Sequence, residues 1–185
     1  RVTIQPQVVC GTCYNCTHGM YNVCDSLKVM GFQTTGMASE YFAVDAEKAL
    51  KFSNEMSYDE GAMIEPLAVA VHAVNRGGSV DGKKILVLGA GPIGNLIAQT
   101  AKGMGASKVM ITDLSDYRLN IAKECGVDVC LNTARENVTE AIAEHFGPDR
   151  ADMILECVGV NKTMEQAISS PIVDNKAMNS VLARY

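Results

Sequence analysis

The second half of the chain alternates short apolar runs with amphipathic stretches, and this alternation constrains the fold more than any other feature. The run "KKILVLG" predicts a strand, and "PIGNLIAQTAKGMG" predicts a helix that Gly105 ends. One face of this helix carries Ile93, Ile97, Ala101 and Met104. Further strands are predicted for "SKVMITD", "VDVCLN" and "ADMILECVG". Between and after them, helices are predicted for "SDYRLNIAKECG" with Ser115 as its cap, "ENVTEAIAEHF" and "NKTMEQAISS". The pattern indicates an α/β protein with a doubly wound parallel sheet, which binds ligands beyond the carboxyl ends of its strands.

The turn after the first predicted strand is rich in glycine. "GAGPIG" has the G-x-G-x-x-G spacing, it opens a helix, and Asp113 ends the second strand about twenty residues later, as a Rossmann dinucleotide-binding fingerprint requires. The glycines allow a tight turn, close approach of a pyrophosphate and close packing of helix on strand, and the helix N-terminus adds partial positive charge. The predicted cofactor-binding residues are Gly89, Gly91, Pro92, Ile93, Gly94, Asp113 and Arg118.

The acidic residue at the end of the second strand bears on the choice of cofactor. Asp113 can accept hydrogen bonds from both hydroxyls of an adenosine ribose, whereas a 2′-phosphate would meet a like charge there. NAD is therefore predicted over NADP. Arg118 keeps the alternative open because an arginine can pair with a 2′-phosphate, although it can also stack on adenine or simply be solvated.

Four of the seven cysteines lie within "CGTCYNCTHGMYNVC". An odd number of cysteines in a reducing cytosol argues against a disulfide framework, and the fourth cysteine comes too late for a ferredoxin iron–sulfur run. The spacing instead predicts a zinc site with four thiolate ligands, a closed site of the structural kind. Its ligands would be Cys10, Cys13, Cys16 and Cys24, with His18 as a solvated loop residue.

Composition narrows the classes of partner. The formal net charge is −5 and no block of lysine or arginine is present, which argues against nucleic acid or an anionic membrane. No apolar run approaches the length of a membrane helix, and the first residues lack the layout of a signal peptide. A cytoplasmic protein with a small-molecule partner is expected.

A four-cysteine zinc loop followed by a dinucleotide fingerprint resembles the zinc-dependent medium-chain dehydrogenase/reductase family, particularly its sorbitol (polyol) dehydrogenase branch. The resemblance implies that residues 1–65 are part of a β-rich GroES-like catalytic domain, in which "EYFAV" and "ALKF" are strands. Residues 66–170 would be an incomplete NAD-binding domain. Residues 171–185 are unassigned, although Met178, Val181 and Leu182 suggest a further helix.

Glu65-Pro66 resembles the Glu-Pro of polyol and threonine dehydrogenases, which implies that Glu65 belongs to a catalytic-zinc environment. There it would either coordinate the metal directly or hold the zinc-bound water or substrate. The alternative is an acid in the first turn of a helix with Pro66 at its first position. His72 is expected to be a core or interface residue. Phe32 and Thr35 either line a substrate pocket or pack in a strand, and Cys157 and Val158 lie either near the nicotinamide ribose or in the core.

The reaction implied by the resemblance is hydride transfer from a zinc-activated polyol or secondary alcohol to NAD, by a homo-oligomer. Threonine remains an alternative substrate. The family's first two catalytic-zinc ligands precede the cysteine loop and are not in this sequence, which also opens on Arg1. The chain is therefore expected to be an inactive piece of a longer protein. The alternative is a non-catalytic module that binds NAD and structural zinc.

Overall fold

A computed structural model describes residues 1–148 and 150–170. The chain divides into two compact units, one formed by Arg1–Glu65 and the other beginning at Pro66. Among the described residues, no helix combines the length and apolar character needed to cross a membrane. The further helix suggested for residues 171–185 lies outside the described residues.

The first unit contains short elements. The strands and the first helix are β1 (Val2–Ile4), β2 (Gln7–Val8), α1 (Tyr14–Thr17), β3 (Lys28–Val29) and β4 (Ala49–Lys51). β1 pairs with β4 and β2 with β3, both antiparallel. The strand predicted for "ALKF" is confirmed as β4. The strand predicted for "EYFAV" is wrong, because residues 40–44 pair with no other strand of the described chain and Tyr41 is exposed. An apolar run forms a strand only where a neighbouring strand supplies a ladder of backbone hydrogen bonds.

The elements that follow alternate between helix and strand. They are α2 (Tyr58–Arg76), β5 (Lys84–Leu88), α3 (Pro92–Gly103), β6 (Lys108–Asp113), α4 (Asp116–Glu124), β7 (Val129–Asn132), α5 (Val138–Phe146), β8 (Met153–Glu156) and α6 (Asn161–Ser169). The four strands form one parallel sheet in the order β7-β6-β5-β8. The predicted doubly wound α/β fold is confirmed.

The sheet separates two apolar cores. Because successive side chains of a strand point to opposite faces, Ile85 and Val87 of β5 join the core that includes α3 and α4, while Leu86 and Leu88 join the core that includes α5 and α6. All four side chains are fully buried. This burial on both faces explains why the strands are continuous apolar runs rather than alternating ones.

Two local predictions need correction. Ser115 does precede α4, but its hydroxyl makes no capping hydrogen bond, and its backbone N–H donates to Asp113 Oδ1 instead. Met104 follows the last residue of α3 and is exposed, because the chain turns into the left-handed Gly105 there and leaves the helical face. By contrast, the Asn137 side chain caps α5 by accepting from Thr139 N at 2.8 Å and Glu140 N at 3.3 Å.

Candidate functional site

A cleft of about 550 Å³ opens at the carboxyl ends of the parallel strands. Its walls come from the segments that follow β5, β6, β7 and β8 and from the first turns of α5 and α6. The lining includes Gly89, Gly91, Asp113, Leu114, Arg118, Thr133, Glu136, Asn137, Val158, Lys162 and Thr163. The sheet order brings these residues together although they are far apart in sequence.

The glycine turn forms the floor of this cleft. Gly89 has a φ of +99°, in the left-handed region that L side chains rarely adopt. A Cβ at Gly94 would lie 1.9 Å from the Gly89 carbonyl oxygen, so only glycine allows α3 to approach β5 this closely. A Cβ at Gly91 would meet nothing within 4 Å, so backbone next to Gly91 is accessible from the cleft.

The N-terminus of α3 lies on this floor. Pro92 is its first residue and has no N–H to leave unpaired, and Ile93 follows it. The first amides of a helix have no partner within the helix, and the aligned peptide dipoles add positive charge. This arrangement suits a phosphate group.

Asp113 lies at the end of β6 with its side chain only 8% exposed. Its Oδ2 accepts from Ala90 N at 2.8 Å and its Oδ1 from Ser115 N at 2.9 Å. Arg118 Nη1 lies 3.6 Å from Oδ2, and the arginine side chain is 55% exposed. Two backbone amides therefore hold the carboxylate at the cleft, and a solvated arginine stands beside it.

Two exposed apolar residues line the cleft: Leu114, which sequence reasoning missed, and Val158, for which the core alternative is wrong because its side chain is exposed. Leu114 directly follows β6 and is 68% exposed, and Val158 follows β8 by one residue and is 47% exposed. Large apolar side chains exposed at a cleft are candidates for contact with a flat ring. The available signal was their position just beyond strand ends that were themselves predictable. Cys157 also lines the cleft, but it is mostly buried, which raises the pKa of its thiol to about 12, with the neighbouring Glu156 carboxylate contributing.

Glu156, the last residue of β8, is a buried acid that sequence reasoning missed. It is 1% exposed. Its Oε1 accepts from Val158 N at 2.9 Å, Gly159 N at 3.0 Å and Thr163 Oγ1 at 2.7 Å. The carboxylate thereby joins the loop after β8 to the first turn of α6, and α6 presents its positive N-terminus to it. An acid at the end of an otherwise apolar strand was the signal that could have identified it.

The first unit gathers the four predicted zinc ligands. Their sulfur atoms all lie within 4.8 Å of one another, with Cys10 and Cys24 at 3.6 Å and two further pairs, Cys10–Cys16 and Cys13–Cys24, at 4.0 Å. These distances exclude a disulfide, whose sulfurs are about 2 Å apart. They match the separation of about 3.8 Å between sulfurs in a tetrahedron with zinc–sulfur bonds of about 2.3 Å.

The pKa values of Cys10, Cys13 and Cys16 are shifted in different directions. Hydrogen bonds from the backbone amides of Thr12 and Cys13 lower the pKa of Cys10 to about 6, and the Asp25 amide lowers the pKa of Cys13. Burial raises the pKa of Cys16 to about 12. Backbone amides that point at sulfur stabilise the thiolate, which is the form that binds a metal. The donor set therefore fits a zinc ion.

Glu65 joins no group of metal ligands within the part of the chain that the structure describes. Among the described residues, the cysteine cluster is the group of three or more potential ligands that the structure assembles. Glu65 is exposed on α2, and Pro66 lies inside that helix rather than at its start, so the first-turn alternative is wrong. The helix begins at Tyr58 because Ser57 and Glu60 cap it: Ser57 N donates to Glu60 Oε2 at 2.6 Å and Glu60 N to Ser57 Oγ at 3.1 Å.

Three other expectations concern exposed side chains. His72 is exposed, so the core alternative is wrong, and the interface alternative stays a prediction. Phe32 lies in a turn and is largely exposed, which contradicts strand packing. Thr35 is also exposed. His18 is exposed as predicted, and its ring stacks on Tyr14 at 4.0 Å.

Comparison with known proteins identifies related sequences and folds. The family model of the alcohol dehydrogenase GroES-like domain matches residues 1–54, and that of the zinc-binding dehydrogenases matches residues 92–171. L-threonine 3-dehydrogenase of Pyrococcus furiosus is 34% identical over 169 residues, which are 91% of this chain and 48% of that protein. Sorbitol dehydrogenase of Bombyx mori is 36% identical over 172 residues, 91% of this chain and 49% of that protein.

A solved structure agrees with these matches. A crystal structure from Escherichia coli CFT073, described as a short chain alcohol dehydrogenase complexed with cofactor NADH, has a TM-score of 0.87 and 33% identity. The similarity covers 97% of this chain and 52% of that one. The chain spans about half the length of the curated relatives it matches. From the two family models, the relatives and the shared fold, we conclude that the chain belongs to the zinc-dependent medium-chain dehydrogenase family.

Proposed function

We propose that this chain is part of a zinc-dependent oxidoreductase that transfers a hydride from a polyol or secondary alcohol to NAD. The observation that carries the proposal is the joint placement of the glycine turn, the N-terminus of α3 and the Asp113 carboxylate around one cleft. The proposed whole protein is cytoplasmic and a homo-oligomer.

Different residues of the cleft would bind different parts of the dinucleotide. The amides at the start of α3, beyond Gly91 and Pro92, would bind the pyrophosphate. Asp113 would accept hydrogen bonds from the ribose hydroxyls while the amides of Ala90 and Ser115 keep its carboxylate in place. Leu114, which follows β6, would contact the adenine ring, whereas Val158, which follows β8 on the other side of β5, would lie toward the nicotinamide half. When bound, the nicotinamide supplies hydride acceptance and a catalytic zinc supplies polarisation of the alcohol.

The cysteine cluster would hold a structural zinc. Cys10, Cys13, Cys16 and Cys24 provide four thiolates, so a bound ion has no open position for a substrate. The ion would fix the segment between Cys10 and Cys24, which has little regular structure beyond α1 and a short turn.

The substrate class rests on Glu65 and on the relatives. The Glu65-Pro66 pair is the reason to propose a polyol or threonine rather than a primary alcohol, with Glu65 near a catalytic zinc in the whole protein. The named sorbitol and threonine dehydrogenases support both classes equally. Threonine is therefore the second candidate substrate.

A non-catalytic NAD- and zinc-binding module is the second candidate function. It is favoured by one observation: the metal-ligand group found among the described residues is of the closed, structural type.

The deciding experiment measures NADH formation by the full-length protein with sorbitol, other polyols, threonine and 2-butanol, together with zinc content. We expect turnover with one substrate class, a lower rate with NADP than with NAD, and two zinc ions per chain. One zinc per chain with NAD binding but no turnover on the whole panel would contradict the oxidoreductase and support the module.

A further inference from the structure

We propose that Glu136 selects the base of the dinucleotide by accepting a hydrogen bond from the exocyclic amino group of adenine. This inference rests on the proposed function, because it assigns a specificity role within the same cleft. It predicts that a purine with a carbonyl group in place of the amino group binds poorly.

The position of Glu136 follows from the sheet order. A pyrophosphate at the start of α3 and a ribose at Asp113 direct the adenosine half from β5 toward β6 and the segment after β7. Thr133, Glu136 and Asn137 form the part of the cleft wall in that segment. The edge of the base that carries the amino group can therefore meet this wall.

On this wall, the Glu136 carboxylate has one oxygen that accepts no hydrogen bond from the described residues. Asn137 Oδ1 already accepts two N–H groups of α5, and the two carboxylate oxygens of Asp113 each accept a backbone amide. Glu136 Oε1 accepts from Asn132 N at 3.1 Å, which orients the carboxylate, while Oε2 makes no hydrogen bond within the described residues.

The charges around Glu136 leave it available as an acceptor. Its neighbour Arg135 is engaged with Asp116, with Nη2 and Nη1 at 2.6 and 2.9 Å from the two carboxylate oxygens. A carboxylate only accepts hydrogen bonds, so it suits the amino group of adenine and repels the carbonyl oxygen of hypoxanthine.

The substitution Glu136→Gln tests the idea without removing the bond to Asn132. The glutamine carbonyl oxygen can still accept from Asn132 N, and its NH₂ group then faces the base as a donor. Glu140→Gln is the matched control, because Glu140 is an exposed acid of α5 that does not line the cleft.

The experiment measures dissociation constants of NAD and nicotinamide hypoxanthine dinucleotide by calorimetry for the three proteins. We expect the wild type and Glu140→Gln to bind NAD at least about tenfold more tightly than the hypoxanthine analogue. In Glu136→Gln this ratio should fall to about one or invert. The ratio is taken on a single sample, so a partly unfolded variant does not change it.

Two results would overturn the inference in different ways. If the wild type binds both dinucleotides equally, or Glu136→Gln keeps the wild-type ratio, Glu136 does not select the base and the proposed function stands. If the wild type binds neither dinucleotide, the proposed function fails and this inference fails with it.

Discussion

The Asp113 carboxylate has a structural role, and the proposed function gives it a binding role as well. Its oxygens accept the amides of Ala90 and Ser115, and the same charge lies at the cleft beside Arg118. We expect its removal both to loosen the glycine turn and to release Arg118 from its ion pair. In the proposed function, the preference between NAD and NADP depends on the balance of these two opposite charges.

We expect Asp113→Asn to weaken NAD binding about tenfold and to reduce the preference for NAD over NADP, since one hydrogen bond to a charged acceptor contributes about 1.5–3 kcal/mol. Titration of both cofactors with the variant measures this. Glu124→Gln, which removes an exposed acid at the end of α4, serves as control. An unchanged preference in Asp113→Asn would contradict the assigned role.

Cys157 should be an unreactive thiol. Its pKa is raised to about 12, mainly by burial, so the neutral form predominates at pH 8 and the reactive thiolate grows only as the pH approaches 12. We expect iodoacetamide at pH 8 to label the exposed Cys125 quickly and Cys157 slowly, and both equally after unfolding. Peptide mass spectrometry follows the labelling. Equal native rates would show that the thiol is accessible.

At the scale of helices and strands, local sequence signals differ in what they determine. Strands β5–β8 could be predicted because burial on both faces requires continuous apolar runs. The irregular structure of residues 40–44 could not be predicted, because an apolar run becomes a strand only where a second strand pairs with it. The serine before α4 and the asparagine before α5 look alike as caps and have similar extended backbone angles, yet only the Asn137 side chain accepts from the helix amides.

The two caps give a matched pair of substitutions. Asn137→Ala removes two accepted hydrogen bonds at the start of α5 and should lower the free energy of unfolding by about 1 kcal/mol. Ser115→Ala should change it by less than about 0.5 kcal/mol, since this hydroxyl makes no capping bond. Urea unfolding measures both. If both substitutions lower the free energy of unfolding by the same small amount, the hydrogen bonds of Asn137 do not stabilise the protein.

On the scale of the whole molecule, the two kinds of site are predictable to different degrees. The cysteine spacing and the glycine turn are contiguous motifs, so the sequence alone indicates their chemistry. Leu114, Glu136 and Val158 follow three different strands and come to line one cleft only through the order β7-β6-β5-β8. That order is a property of the assembled sheet rather than of any segment.

Zinc removal should affect the two units differently. A structural zinc contributes on the order of 10 kcal/mol to folding in small peptides, so a chelator should unfold the loop between Cys10 and Cys24. Hydrogen exchange should rise there and stay slow in β5, β6 and β8, whose core is apolar. Cys16→Ser should reproduce the effect without chelator. If the amides of this loop still exchange slowly after all metal has been removed, a structural role for the ion is contradicted.

The hydrogen bond from Ala90 N to Asp113 joins the glycine turn to a residue 23 positions away. This bond fixes the spacing between the proposed phosphate site and the proposed ribose site before any ligand binds. We therefore expect a dinucleotide to bind with little loss of conformational entropy in the protein. We also expect the cleft to reject a molecule whose anionic and hydroxyl groups lie at a different distance, since it could not occupy both sites at once.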